Sequence, residues 1–245
     1  MKQQHTLTFY TSLFFCLFLC YSSIYAQNET IEETTTITDS IKIKQKYGIR
    51  FGADISKLVR TAIDDDYKGF EINGDYRITK NWYLAAELGN EEKTTTNDFL
   101  SVTAKGSYLK VGADYNLYSN WLGMENMIYS GFRLGTSTFS QTRNSFTVYA
   151  QDQFFTPQFT STEALEVNGL SALWIELQFG IKTEILNNLF LGLNLQLKGN
   201  ITQDQPNNFE NLYIPGFNKT FDSGRVGVGY GYTISYLIPI FKKAK

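Results

Sequence analysis

The segment Leu189–Lys198, with the sequence LFLGLNLQLK, determines how the rest of the chain is interpreted. Leucine occupies every second position, and the positions between carry Phe, Gly, Asn, Gln and Lys. Successive side chains of a β-strand point to opposite faces, so this period of two predicts a strand with one apolar and one polar face. An amphipathic helix would need an apolar period near 3.6, which this segment lacks.

Seven more segments of the 245-residue chain alternate in the same way. These predicted strands are Tyr47–Leu58, Phe70–Ile78, Trp82–Gly89, Tyr108–Tyr118, Ile128–Thr138, Trp174–Ile185 and Arg225–Ile240. The pattern shows no amphipathic helix. Eight such strands predict an all-β fold, a closed antiparallel up-and-down transmembrane β-barrel, because closure leaves no unpaired strand edge. Ten strands are the alternative, if residues 139–171 contain two more.

The first 26 residues have the features of a secretory signal peptide. Lys2 provides a basic start, an apolar run covers residues 13–19, and the segment ends on the small residue Ala26. The run is shorter than the roughly 20 residues of a membrane-spanning helix. Residues 27–46 are rich in Thr, Glu and Lys without an apolar period, which predicts a flexible periplasmic tail.

Signal cleavage would remove both cysteines, Cys16 and Cys20, and the single histidine, His5. The remaining chain then has no thiol or imidazole for a metal site, a disulfide or a Ser–His pair, and no cofactor is expected. Its net charge is −3, from 22 basic residues less Lys2 against 24 acidic residues. This small charge gives no electrostatic basis for binding nucleic acid. The aromatic fraction of 16% argues against a disordered chain.

Alternation alone does not show which face lies inside the barrel, because a soluble ligand-carrying barrel has an apolar interior. Three features favour a charged lumen. The glycines share the polar face, that face carries both charge signs in near balance, and aromatic residues end the apolar face, as in the girdles of outer-membrane barrels. The predicted girdle residues are Tyr76, Trp82, Tyr115 and Tyr236. The predicted lumen charges are Arg50, Asp54, Glu71, Asp75, Arg77, Glu87, Lys110, Asp114, Arg133, Glu176, Lys182, Glu184 and Lys198.

Charged groups in a lumen allow more than one interpretation. Glu71 and Asp75 could act as an acid–base pair, but opposite charges share the face of most strands and predict a structural network of ion pairs. An eight-stranded interior is just wide enough for side chains to fill, which leaves a narrow small-solute pore as the alternative. The glycine-rich stretch 227–231 is expected to face the lumen, since no helix follows it to bind phosphate.

The predicted connections alternate in length. Short links that contain asparagine are 79–81, 119–126 and 186–188. Longer polar links are 59–66, 90–98, 139–171 and 201–224. Because outer-membrane barrels have short periplasmic turns and longer outer loops, both termini are expected in the periplasm.

The longest predicted link, residues 139–171, is polar and aromatic. Long loops on a rigid scaffold often carry binding functions. The candidate residues for extracellular binding are Phe146, Tyr149, Phe154, Phe155 and Phe159. Alternatively, residues 146–159 form a hairpin that extends the barrel above the membrane. Residues 207–221, with Phe209, Tyr213 and Phe217, are candidates for a joint surface with this loop.

The barrel region, residues 47–241, resembles the eight-stranded outer-membrane barrels of the OmpA and OmpX kind. It is more similar still to small outer-membrane barrels of Bacteroidota of unknown function. The resemblance rests on turns such as Asn81-Trp82-Tyr83-Leu84 and on the last strand. In that strand, the residues similar to the C-terminal signal read by the barrel-assembly machinery are Tyr232, Ile234, Tyr236, Ile238 and Phe241. Residues 242–245 form a short extension beyond the aromatic end of that signal.

The expected function is that of a non-enzymatic integral protein of the bacterial outer membrane, which presents outer loops for binding or supports the envelope. Its expected partners are outer-membrane lipids, the barrel-assembly machinery and an extracellular ligand or protein. A lipid-modifying enzyme is a second class, but serine-type versions need a histidine base and only a histidine-free arrangement would remain. A soluble periplasmic lipocalin-like carrier is a third class.

Overall fold

The computed structural model describes residues 44–118, 125–148, 159–207, 209–219 and 225–244, and most of them lie in strands. The strands are β1 (Lys44–Asp54), β2 (Tyr67–Arg77), β3 (Trp82–Thr96), β4 (Leu100–Asn116), β5 (Met127–Val148), β6 (Phe159–Ser161), β7 (Leu165–Leu186), β8 (Leu189–Gln203), β9 (Tyr213–Ile214), β10 (Asn218–Lys219) and β11 (Val226–Ala244). One helix, α1 (Ile55–Ile63), lies between β1 and β2. Among the described residues, no helix has the length and apolar character needed to cross a bilayer.

Eight antiparallel strands close into a ring in the order β1, β2, β3, β4, β5, β7, β8 and β11, and β11 pairs back onto β1. The closed all-β up-and-down fold predicted from the alternation is confirmed, with eight strands in the ring rather than ten. The end with the connections β2–β3, β4–β5 and β7–β8, where β1 begins and β11 finishes, is called the turn end here. The opposite end is called the loop end.

The two faces of the ring differ in exposure. Along β8, Leu193 is 43% exposed whereas its neighbour Asn194 is 8% exposed. On β3, Leu88 likewise lies outside and Glu87 inside. Apolar side chains thus cover the outside of the ring and charged side chains fill its interior. This is the reverse of the lipocalin-like arrangement, in which the apolar face would line the lumen.

Strands run further toward the loop end than the alternation predicts. Strand β3 continues to Thr96 and β4 starts at Leu100, so the predicted link 90–98 is mostly strand. The outward residues change from Leu88 to Asn90 and then to Glu92. An apolar–polar alternation therefore ends near Leu88 although the strand does not. We call the outward apolar surface that ends at this level the apolar belt.

The predicted link 139–171 is also largely strand. Strands β5 and β7 are 22 residues each, and they pair beyond the level of the apolar belt. The short strand β6 pairs with residues 146–148 at the end of β5. This pairing agrees with the hairpin alternative for residues 146–159, of which 149–158 lie outside the described residues.

The first and last strands extend past their predicted limits. Strand β1 begins at Lys44 rather than Tyr47, and β11 continues to Ala244 as the partner of that residue. The register of the β1–β11 pairing shifts between Tyr47 and Gly48, and Tyr47 is buried, unlike the exposed Ile49 of the same strand. The Tyr47 ring stacks on Phe241 with centroids 5.1 Å apart. The proposed signal peptide and most of residues 27–46 lie outside the described residues.

Helix α1 corrects the expectation that the chain has no amphipathic helix. Its carboxylate cap is Asp54, which accepts a hydrogen bond from the Ser56 backbone N–H at 2.8 Å. The apolar residues 55, 58, 59 and 62 recur at helical spacing. Ile55 also continues the alternation of β1, and this double fit explains why the first strand was predicted to reach Leu58.

Candidate functional site

All thirteen predicted lumen charges lie on the inward face, and eleven of them are buried. The other two, Lys182 and Glu184, each keep 13% side-chain exposure. The thirteen charges alternate with outward residues along their strands. Because strand pairing places inward positions of neighbouring strands side by side, these charges come together in the lumen. Buried charges at this density need partners of opposite sign.

The centre of the network is Lys110 on β4. Its ammonium lies 2.7 Å from Glu87 and 3.3 Å from Glu71. Arg133 on β5 shares Glu87 at 3.1 Å and contacts Asp114 at 2.7 Å. Each cation therefore bridges two carboxylates, and four strands are linked by side-chain ion pairs in addition to their backbone ladders.

The network continues toward the turn end through Lys182. This ammonium contacts Asp75 at 2.8 Å and Asp114 at 3.5 Å. Arg50 completes the pairing of Asp75 at 2.8 Å and lies over the rings of Tyr83 and Phe190. At the rim, further pairs are Arg77–Glu125 at 2.8 Å and Lys46–Glu184 at 3.1 Å.

The linked network is electrically balanced. Its cations are Arg50, Lys57, Lys110, Arg133, Lys182 and Lys198. Its anions are Glu71, Asp75, Glu87, Glu91, Asp114 and Glu176. Asp54 differs from the expectation, because its carboxylate caps α1 and accepts from the Tyr232 backbone N–H instead of forming an ion pair within the described residues.

Two parts of the lumen between the charges have little free space. A cavity of about 20 Å³ lies between Glu71, Glu87 and Arg133, and another of about 10 Å³ lies near Arg50 and Arg77. Volumes of this size hold about one water molecule each. Within the described residues, no group of three or more His, Cys, Asp or Glu side chains is arranged to hold a metal ion. The arrangement is suited to neutralising charge inside a rigid wall.

A hairpin from the β8–β11 connection fills the loop end of the lumen. We call residues 213–219 the plug hairpin. Ile214 and Phe217 are 0% and 2% exposed and pack against Tyr108 and Trp174. Phe217 meets Trp174 edge-on, with ring centroids 6.0 Å apart. Tyr213 and Phe217 therefore lie inside the barrel and do not form the joint outer surface that their position in a polar link suggested.

The turn of the plug hairpin requires glycine at position 216. Its φ of +81° is left-handed, and a Cβ there would lie 2.5 Å from the Tyr108 ring. Lys198 donates a hydrogen bond to the Gly216 carbonyl at 2.7 Å. Through Lys198 the plug hairpin is hydrogen-bonded to the ion network of the lumen.

Glu91 joins the plug hairpin to the wall and was missing from the predicted site. Its fully buried carboxylate accepts hydrogen bonds from the hydroxyls of Tyr67 at 2.9 Å and Tyr213 at 2.8 Å. It also accepts from the Gly216 backbone N–H at 2.8 Å and pairs with Lys57 of α1. Glu91 falls in the predicted link 90–98, but its spacing of four from Glu87 on β3 could have placed it on the inward face.

The predicted girdle residues lie on the outward face at the turn end. Tyr76, Trp82 and Tyr236 are exposed, and Tyr115 is half-buried beside Trp82, with ring centroids 5.0 Å apart. The residues of the suggested assembly signal are also outward and exposed. They are Tyr232, Ile234, Tyr236, Ile238 and Phe241.

Two of the five candidate binding residues of the outer loop can be placed. Phe146 on β5 and Phe159 on β6 meet edge-on with centroids 6.2 Å apart, and Arg143 lies over the Phe146 ring at 4.4 Å. The other three, Tyr149, Phe154 and Phe155, lie outside the described residues. Phe159 is 65% exposed, so this hairpin presents an aromatic surface at the loop end.

Comparisons with known proteins add a family and one structural likeness. The crystal structure of Ail, the attachment invasion locus protein of Yersinia pestis, is similar to 78% of this chain and 97% of its own, at 8% identity and a TM-score of 0.39. No curated protein matches the chain. A family model described as Domain of unknown function (DUF6048) matches residues 6–243. The chain therefore belongs to the DUF6048 family.

Proposed function

We propose that the protein is an integral, non-enzymatic component of the bacterial outer membrane, with a sealed barrel and both termini in the periplasm. The observation that carries this proposal is the inverted distribution of side chains. Leucine, isoleucine and aromatic side chains form an exposed apolar belt, whereas twelve linked charges are enclosed. Exposed apolar surface of this extent is unfavourable in water and suits a lipid environment.

The filled lumen supports a structural or binding role over a pore. The two cavities among the charges hold about one water molecule each, and the plug hairpin occupies the loop end. Ions crossing this lumen would have to displace paired side chains that bridge several strands. Partner recognition is then expected at the loop end, where the β5–β6 hairpin exposes Phe159.

The non-enzymatic assignment rests on how the carboxylates are held. Glu87 and Asp75 each contact two cations. A general acid or base needs a proton that exchanges near working pH, and such doubly paired carboxylates favour a fixed charge. Mass spectra of lipid A and phospholipids with and without the protein test this; unchanged acyl chains are expected, and a reproducible change would contradict it.

Membrane fractionation followed by planar-bilayer conductance tests location and sealing together. We expect the protein in the outer-membrane fraction, requiring detergent for extraction and migrating faster on gels when it is not boiled. Reconstituted protein should leave bilayer conductance at baseline. Recovery in the soluble periplasmic fraction would contradict the location, and stable unitary currents would contradict the sealed lumen.

A further inference from the structure

The barrel wall contains a gap between β2 and β11 that no strand of the described residues fills. Strand β1 pairs with β2 only as far as Ala53–Ile72 and with β11 only as far as Asp54–Thr233. Toward the loop end, the described residues provide no strand between β2 and β11. Helix α1 occupies this part of the wall and contacts both strands.

Helix α1 has an apolar face toward the outside of the barrel and a charged face toward the lumen. Leu58, Val59 and Ile63 are 50%, 50% and 79% exposed and point away from the barrel. Lys57 on the opposite face reaches the buried carboxylates of Glu71 and Glu91. The helix therefore continues the apolar belt on its outer side and the ion network on its inner side.

Helix α1 borders its two neighbouring strands differently: it is hydrogen-bonded to β2, whereas a pocket lies between it and β11. On the β2 side, the Thr61 hydroxyl accepts from the Gly69 backbone N–H at 2.9 Å and lies 3.1 Å from the Gly69 carbonyl. On the β11 side lies a pocket of about 570 Å³. It is bordered by residues 228–230 of β11, beyond the last pair that this strand makes with β1.

This pocket lies in the barrel wall. Val228 and Tyr230, which are 71% and 63% exposed, line it from the apolar outer face. Gly229 and Gln196 line it from the lumen side, as does Tyr213 of the plug hairpin. The lining thus comes from both faces of the wall.

The polar part of the pocket is cationic. Lys57, Arg60 and Lys93 line it, and no acidic side chain of the described residues does. Their carboxylate partners, Glu91 and Asp64, lie outside the lining. Lys57 is neutralised by Glu71 and Glu91, whereas Arg60 and Lys93 share the single carboxylate of Asp64, which leaves one net positive charge at the pocket.

We propose that this wall pocket binds an anionic amphiphile with a single acyl chain, which enters from the surrounding lipid through the seam between α1 and β11. The acyl chain lies against Val228 and Tyr230, and the anionic head contacts Arg60 and Lys93. A volume of about 570 Å³ is within the range of pockets for one small ligand and too small for a lipid with several acyl chains. This inference rests on the membrane location proposed above.

Photo-crosslinking in vesicles tests the proposal. The full chain is reconstituted in phosphatidylcholine with a palmitic acid analogue that carries a diazirine at the chain end, and labelled peptides are mapped by mass spectrometry. We expect labelling concentrated on α1 and residues 226–230. Palmitate and palmitoyl lysophosphatidic acid should compete about tenfold better than uncharged monopalmitin, because charged groups make the stronger hydrogen bonds. Comparing these two anions identifies whether a carboxylate or a phosphate is the preferred head.

Three variants separate binding from folding. Arg60→Gln combined with Lys93→Gln should reduce labelling about tenfold, whereas Lys105→Gln, an exposed cation at the same end of the barrel, should leave it unchanged. Val228→Trp fills the outer mouth without removing a charge and should also reduce labelling. Heat-modifiable migration checks that each variant is folded.

The proposal fails if labelling spreads evenly over the apolar belt, for example equally on residues 189–193, or if monopalmitin competes as well as palmitate. It also fails if Val228→Trp is folded and labelled like the parent chain. A soluble protein in the fractionation experiment would contradict the membrane location instead, and the two failures are therefore distinguishable.

Discussion

Replacing Glu91 by glutamine tests whether the plug hairpin is held by this single buried carboxylate. Glu91 accepts two hydrogen bonds from the hairpin, from the Tyr213 hydroxyl and the Gly216 backbone N–H, both at 2.8 Å. It also neutralises Lys57 of α1. Glu91→Gln keeps one acceptor oxygen but removes the charge, and its amide N–H₂ faces groups that are themselves donors.

The expected cost follows from the burial of the pair. Removing one partner of a buried ion pair costs about 3–5 kcal/mol, and each hydrogen bond to a charged group contributes about 1.5–3 kcal/mol. Because glutamine retains one acceptor, we expect the hairpin to be destabilised by about 3 kcal/mol. That corresponds to a population of the released hairpin roughly a hundredfold higher.

Hydrogen–deuterium exchange of residues 213–219 in vesicles measures this directly. The matched control is Glu92→Gln, on the adjacent outward position, where the Lys105–Glu92 pair at 3.2 Å is largely exposed and should contribute under about 1 kcal/mol. Combining Glu91→Gln with Lys57→Gln should recover about 1–2 kcal/mol, because both charges of the pair are then removed. Equal exchange in the Glu91→Gln and Glu92→Gln proteins would refute the assigned role of Glu91.

Three further predictions concern the plug hairpin, the apolar belt and helix α1. Gly216→Ala should destabilise the plug hairpin by about 1–3 kcal/mol because of its positive φ, whereas Gly199→Ala, whose Cβ would approach other atoms no closer than 3.5 Å, should be near neutral in the same exchange measurement. Leu193→Arg should lower the free energy of unfolding in vesicles by about 2–4 kcal/mol in a urea titration, and Thr94→Arg, outward but beyond the apolar belt, by less than about 1 kcal/mol. Asp64 has a lowered pKa in the folded state, so its contribution to docking α1 is present above its unfolded pKa of about 3.9 and is lost as pH falls through the folded value. The protection of the α1 amides, relative to their intrinsic exchange rate at each pH, should therefore fall below about pH 4 in the parent chain, and Asp64→Asn should remove this acid dependence.

Most strands of the barrel could be predicted from the alternation of apolar and polar residues. Beyond the edge of the apolar belt this alternation stops, and the strands could no longer be predicted from it. Strand β8 carries leucine at every outward position from Leu189 to Leu197, so its existence and its inward face could be predicted. Beyond Leu88 both faces of β3 become polar, so strand and loop look alike. The spacing of four from Glu87 could place Glu91 on the inward face, but its contacts with the plug hairpin depend on tertiary packing that the local sequence does not reveal.

Helix α1 and the inward position of the plug hairpin were not predicted from the sequence, for different reasons. Ile55 fits both a strand and a helix period, and the helix is stabilised by the Asp54 cap and by the ion pairs of Lys57 inside the barrel. Pro215 and Gly216 predict a turn, but the local sequence does not indicate that this turn lies inside the lumen. Its inward position depends on Glu91 and Lys198, which are distant in sequence.

The orientation of the apolar face relative to lipid is the central claim, and two native tryptophans test it. Trp82 is 49% exposed on the outer face, and Trp174 is fully buried inside the barrel. Variants that retain only one of them, with the other and Trp121 replaced by phenylalanine, are reconstituted with brominated phospholipid. We expect strong fluorescence quenching of Trp82 and little quenching of Trp174. Quenching of Trp174 with Trp82 unaffected, or no quenching of either, would contradict a lipid-facing belt around a charged lumen.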